Sequence, residues 1–195
     1  MRDMYNKKRG ILFIIAAAFC FSTMNMFARL AGDIPAIQKT FFRNLVAIFV
    51  ILTILILRRQ HIEVKRAHLP ALLARSVFGT LGVVCNFYAM DRMLLSDATI
   101  LVDLSPFFVI LASSVLLHER ATRKQYGLIL LALAGACFVI KPTANIFGNY
   151  AALAALGCAA SSGIAYAMLR VLSKQGEDGT TIVFFFSAFS CVVCL

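Results

Sequence analysis

Charge is scarce in this sequence. Only 14% of its 195 residues are charged, where an average soluble domain has about 25%. Acids are scarcer still, at nine against nineteen Lys and Arg. His61, His68 and His118 lie in or beside polar connections and do not combine with acids at metal-ligand spacing. No metal site is therefore expected, and with no acid–base or nucleophile constellation no enzyme is expected either. A phosphate-binding glycine loop is missing, which argues against ATP hydrolysis by this chain. No cofactor is implied. Cysteine is missing from the polar connections: Cys20, Cys85, Cys137, Cys158, Cys191 and Cys194 all lie within apolar runs. That pattern excludes a disulfide framework. Cys191 and Cys194 have C-x-x-C spacing, but with no His or second pair beside them they read as packing residues. Strand alternation is also absent, which excludes a membrane β-barrel.

What the sequence has is apolar length. The chain is 61% hydrophobic. Residues 10–30, 36–57, 69–90, 95–117, 126–140, 148–169 and 181–195 each read as an apolar span, the last cut short by the end of the sequence. A bilayer core of about 30 Å needs about 20 mostly apolar helical residues. Only a helix or a closed barrel satisfies its own backbone in lipid. The expected fold class is therefore all-α, a polytopic transmembrane helix bundle. Lys7-Lys8-Arg9 before an alanine-containing apolar run resembles a signal peptide, but the apolar character continues to Phe27 and more spans follow. An uncleaved first helix is expected.

The net charge of +10 does not point to nucleic acid, because the basic residues form no single face. They cluster between spans. Thirteen (Arg2, Lys7, Lys8, Arg9, Arg58, Arg59, Lys65, Arg66, Arg120, Arg123, Lys124, Arg170, Lys174) fall on one side, and four (Arg29, Lys39, Arg92, Lys141) on the other. Cytoplasmic connections carry such an excess, so the N-terminus is expected in the cytoplasm and the protein in the plasma membrane.

The spans also look repeated. With an offset of 141, Cys20 falls on Ser161, Asn25 on Tyr166 and Arg29 on Arg170. An odd number of spans separates the two starts, so a second unit would be inverted. Inverted repeats are a common plan for secondary transporters. The expected organisation is one five-helix module over residues 10–142 and an incomplete second module over 148–195. A helix that stops within the membrane suggests a truncated chain. Ala151, Ala155, Ala159, Gly163 and Ala167 recur every four residues and read as a close-packing stripe. Gly79 and Gly82 read the same way.

Polar residues inside spans are functional candidates, because they are costly in lipid. They are Arg43, Arg75, Asp103, Asn25 and Asn86. At about 1.5 Å rise per residue, Arg43 lies about 10 Å and Asp103 about 12 Å from the outer ends of their spans. The matching depths predict that the two face the interior and pair, directly or through water. Arg75 enters from the opposite end, and its stem is expected to snorkel to the interface. Pro106, directly after Ser105, removes a backbone donor and frees the Val102 carbonyl, which predicts a kink in the fourth span. Tyr166 is a further candidate for the chamber wall. The candidate solute-binding set is Asn25, Arg43, Asn86, Asp103, Ser105 and Tyr166, with Pro106 as the kink.

Ser96-Asp97-Ala98-Thr99, Leu104-Ser105-Pro106-Phe107-Phe108, Leu116-Leu117-His118-Glu119-Arg120, Gln125-Tyr126-Gly127, Ala134-Gly135 and Lys141-Pro142 follow one another in order. With Phe41-Phe42-Arg43, this series resembles the EamA-type module of the drug/metabolite transporter superfamily. The resemblance covers residues 10–142 and the opening of a second module. It implies a ten-helix transporter with two inverted halves and a cavity lined partly by the first, third, fourth and sixth helices. It also implies a small-molecule substrate, such as an amino acid, another metabolite or a drug, moved by alternating access. Such proteins are longer than this chain, and Asp103 stands where the family often has an uncharged residue. The alternative expectation is a non-transporting membrane remnant, or an assembly partner that supplies helices to another chain, including a second copy of itself.

Overall fold

In the computed structural model, the described residues are 2–32, 34–58, 68–117 and 150–195, with Gly127, Leu131, Ala134 and Gly135. Most of the fifth span, together with His61, His118, Glu119, Cys137, Lys141 and Pro142, lies outside them. Seven helices are described: α1 (Arg2–Leu30), α2 (Ala36–Arg58), α3 (Leu69–Arg92), α4 (Leu95–Val102), α5 (Ser105–Leu117), α6 (Tyr150–Lys174) and α7 (Gly179–Val193). No strand occurs among the described residues. Five stretches are long and apolar enough to cross a membrane: Gly10–Leu30, Ala36–Leu57, Leu69–Arg92, Leu95–Val115 and Tyr150–Lys174. α7 is shorter.

The chain divides into two compact units, Met1–Ile34 and Pro35–Leu195. The first contains α1. This helix stops at Gly32, whose φ of 75° suits a residue without a Cβ.

In the second unit, α3 packs against α6 and α7, α5 and α4 pack against α6, and α2 packs against α7 and α3. The outward-facing surface is apolar, unlike that of a water-soluble helix bundle. α2 buries Thr40 and Asn44 and exposes Phe42, Val46, Phe49, Ile56 and Leu57. Polar groups inside and apolar groups outside suit a bundle surrounded by lipid. α6 buries Ala151, Ala155, Ala159, Gly163 and Ala167, the whole four-residue repeat of small side chains. Without lipid-excluding hydrophobic force between helices, close backbone approach and dispersion hold such a seam together.

The fourth span is broken rather than smoothly kinked. α4 ends at Val102 and α5 begins at Ser105. Between them the Asp103 amide donates to Thr99 O at 2.8 Å, and the Leu104 amide donates to Leu101 O at 3.3 Å. Pro106 sits in the first turn of α5, where a missing N–H leaves no bond unmade. Its ring would clash with the carbonyl four residues back, so the helix stops before it and restarts.

α6 ends in a Schellman turn. The Glu177 amide donates to Leu172 O at 3.1 Å and the Gly176 amide to Ser173 O at 3.2 Å, with Gly176 at a φ of 83°. Beneath this turn Leu72, Leu172 and Ile182 form a buried apolar cluster.

Candidate functional site

The interior polar groups gather mainly where α2, α3 and α7 meet. On α2 the buried Asn44 donates through Nδ2 to Thr40 O at 2.9 Å, and its Oδ1 has no hydrogen-bond partner. Arg43, its neighbour, has a buried Nη1 without a partner. On α3, Arg75 has a buried Nε without a partner. On α7 the buried Ser187 Oγ is also unpartnered. Buried polar atoms are nearly always hydrogen-bonded, and four of the six exceptions among the described residues lie on these three packed helices, the others being Asn25 Oδ1 on α1 and Ser113 Oγ on α5. Other polar side chains there are satisfied: Ser76 Oγ donates to Leu72 O at 2.8 Å, and the Thr80 and Ser190 hydroxyls bond each other at 2.5 Å.

Arg75 does not snorkel. Helical side chains normally lean toward the N-terminus, which for α3 is the nearer end of the span. The Arg75 guanidinium runs the other way. It lies over Gly79, where a Cβ would collide with Nη1, and its Cζ stands 4.6 Å from the centre of the Phe186 ring. Gly79 makes room for the guanidinium, and the ring face supplies a cation–π contact. The expected snorkelling is thus corrected: a ring one helix away offers the charge a better partner inside. Arg75 is within electrostatic reach of Arg43, and Tyr166 of α6 is within reach of both. Tyr166 is 51% exposed in the bundle.

The expected Arg43–Asp103 pair is not formed. Asp103 caps α4 with its side chain exposed, and no ion pair among the described residues joins it to Arg43. The two depths match, but depth says nothing about azimuth. α2 packs on α7 and α3, whereas α4 packs on α6 and α3. Ser105 opens α5 half-buried, and Pro106 is exposed beside it. Asn86 is buried on α3, on the face that carries Gly79 and Gly82. Asn25 lies on α1, in the first unit. Of the candidates, Arg43 stands on α2, which packs against the helix of Arg75, and both arginines keep a buried unpartnered nitrogen.

Two interactions escaped the sequence reading. Lys39, buried on α2, donates to Asp91 Oδ1 near the end of α3 at 2.6 Å. Their places at the start of one span and the end of the next, which put them at one level, were the available signal. At the other end His68 Nδ1 pairs with Glu177 Oε1, tying the start of α3 to the α6–α7 turn. Each contact clasps one end of the bundle.

Known proteins resemble this chain over most of its length. The model of the EamA-like transporter family matches residues 8–141. A pseudopaline exporter of Pseudomonas aeruginosa is 36% identical over 190 residues, covering 96% of this chain and 66% of the exporter. Solute carrier family 35 member G1 of Mus musculus is 25% identical, covering 85% of this chain and 48% of its own. A riboflavin transporter of Brucella anthropi is 25% identical, covering 77% and 54%. The chain thus spans less than two thirds of the length of these curated relatives. No solved structure matches.

Proposed function

The chain belongs to the EamA-like transporter family, and from that premise we propose that it moves a small metabolite or drug across the plasma membrane by alternating access. The observation that carries this reading is the gathering of unpartnered buried polar atoms from α2, α3 and α7 within apolar spans. Lipid tolerates such groups only where they face a shared polar chamber. Arg43 and Tyr166 are the core of the proposed solute site, with Asn86, Asp103 and Ser105 lining the path. The break at Asp103–Leu104, just before Pro106, frees backbone dipoles within a span, as in transporters built on discontinuous helices. In this reading residues 10–142 form one module, residues 148–195 belong to an inverted second one, and the N-terminus is cytoplasmic. The excess of Lys and Arg on one side supports that orientation.

Transport is tested in cells and in proteoliposomes. Pseudopaline and riboflavin are the first solutes to assay, because two relatives carry those names. Asp103→Asn is expected to reduce transport at least roughly tenfold, the effect of losing an interaction of about 1.4 kcal/mol, at unchanged protein abundance. Normal transport by that variant would remove Asp103 from the path. No movement of any solute in a panel of metabolites and drugs would sink the reading.

A further inference from the structure

We propose that Arg43 and Arg75 together bind a carboxylate of the transported solute, with the Phe186 ring as the floor beneath Arg75. This rests on the transporter reading above and names the substrate class, a small carboxylate-bearing organic anion.

Two guanidinium groups stand on helices that pack together, α2 and α3, each with a buried unpartnered nitrogen, inside apolar spans. Like charges at such a place repel and are poorly solvated, so the arrangement opposes folding unless an anion joins it. Among the described residues no carboxylate of the chain pairs with either group, whereas Asp91 is held by Lys39 and Glu177 by His68. Both arginines keep a buried donor nitrogen unpartnered, Nη1 of Arg43 and Nε of Arg75. Arg75 reaches this place against the usual lean of a helical side chain, over a glycine and against an aromatic face. A group that only had to shed its charge would reach for the nearer interface. The planar guanidinium fork takes a carboxylate or a phosphate through two parallel N–H···O bonds, and the single charge of a carboxylate costs less to bring into apolar spans than the higher charge of inorganic phosphate.

Thermal unfolding of the purified protein in detergent tests this. Acetate, succinate and citrate are compared with succinamide and inorganic phosphate at equal ionic strength. At least one carboxylate is expected to raise the midpoint, and succinamide and phosphate are expected not to. Arg43→Gln and Arg75→Gln should weaken the carboxylate effect roughly 10- to 100-fold, as loss of a charged hydrogen bond predicts. Arg43→Lys, which keeps the charge and loses the fork, should fall between. Without ligand, Arg43→Gln should unfold at a higher temperature than the wild type, because a buried charge with an unpartnered nitrogen has gone. A merely structural arginine would give the opposite sign. The proposal is overturned if no carboxylate shifts the wild type, if succinamide or phosphate matches the carboxylates, or if the double Gln variant responds as the wild type does. Failure of the transporter reading looks different: carboxylates bind in the arginine-dependent way, yet no solute crosses proteoliposomes. Transport of a neutral solute that survives Arg43→Gln would instead keep the transporter and remove the anion site.

Discussion

Along α6 the close approaches are between backbones, whereas across α2, α3 and α7 they are made by an arginine and a phenylalanine. A Cβ added at Gly163 would meet the carbonyl carbon of Phe108 at 2.7 Å and the Val109 nitrogen at 2.9 Å. A Cβ at Gly79 would meet the flexible end of Arg75 and, at 2.8 Å, the Phe186 ring. The first region is built from small side chains. The second keeps four polar atoms without partners. The contrast separates two regions: the α6 seam sets the distances between helices, and the arginine-bearing face holds buried polar atoms that other side chains leave unpartnered.

Substitutions can break or sharpen this contrast. The largest effect is expected from Gly163→Ala. Two packed backbones cannot rotate away from a methyl group, so α5 and α6 must separate, at about 2–3 kcal/mol on the scale of overpacked cores. Thermal unfolding in detergent measures it, and a neutral result would mean that the seam is looser than the contacts show. Phe186→Leu comes next. It removes the ring under Arg75, and a desolvated cation–π contact is worth about 2 kcal/mol. Here the sign on function matters as well: anion protection in the unfolding assay should weaken together with stability. The smallest effect is expected from Gly82→Ala, less than about 1 kcal/mol. The added Cβ would stand 3.0 Å from Ser162 Oγ, a side chain that can turn aside. If Gly82→Ala harmed the protein as much as Gly163→Ala, the division between immovable backbone and yielding side chain would fail.

Particular residues show what was legible in the sequence and what was not. The apolar spans were readable because lipid imposes a length and forbids exposed backbone. The small-residue stripe from Ala151 to Ala167 was readable because a four-residue repeat fixes one helix face. Tyr166 and Arg43 were candidates on polarity alone. The Arg43–Asp103 pair failed because helical rise gives depth and nothing about rotation. The snorkelling of Arg75 failed because the nearer interface competed with Phe186, which lies more than a hundred residues away in sequence. Pro106 announced an interruption, but the turn fell at Asp103 and Leu104, where the clash with its ring is avoided.

The sequence by itself determined the solvent of this protein and the family to which it belongs. Hydrophobic length, basic asymmetry and the order of short motifs are properties of one dimension, and they survive without coordinates. The tertiary structure alone decided which buried charges meet. A guanidinium takes its direction from neighbours on other helices, and only packing fixes which helices those are.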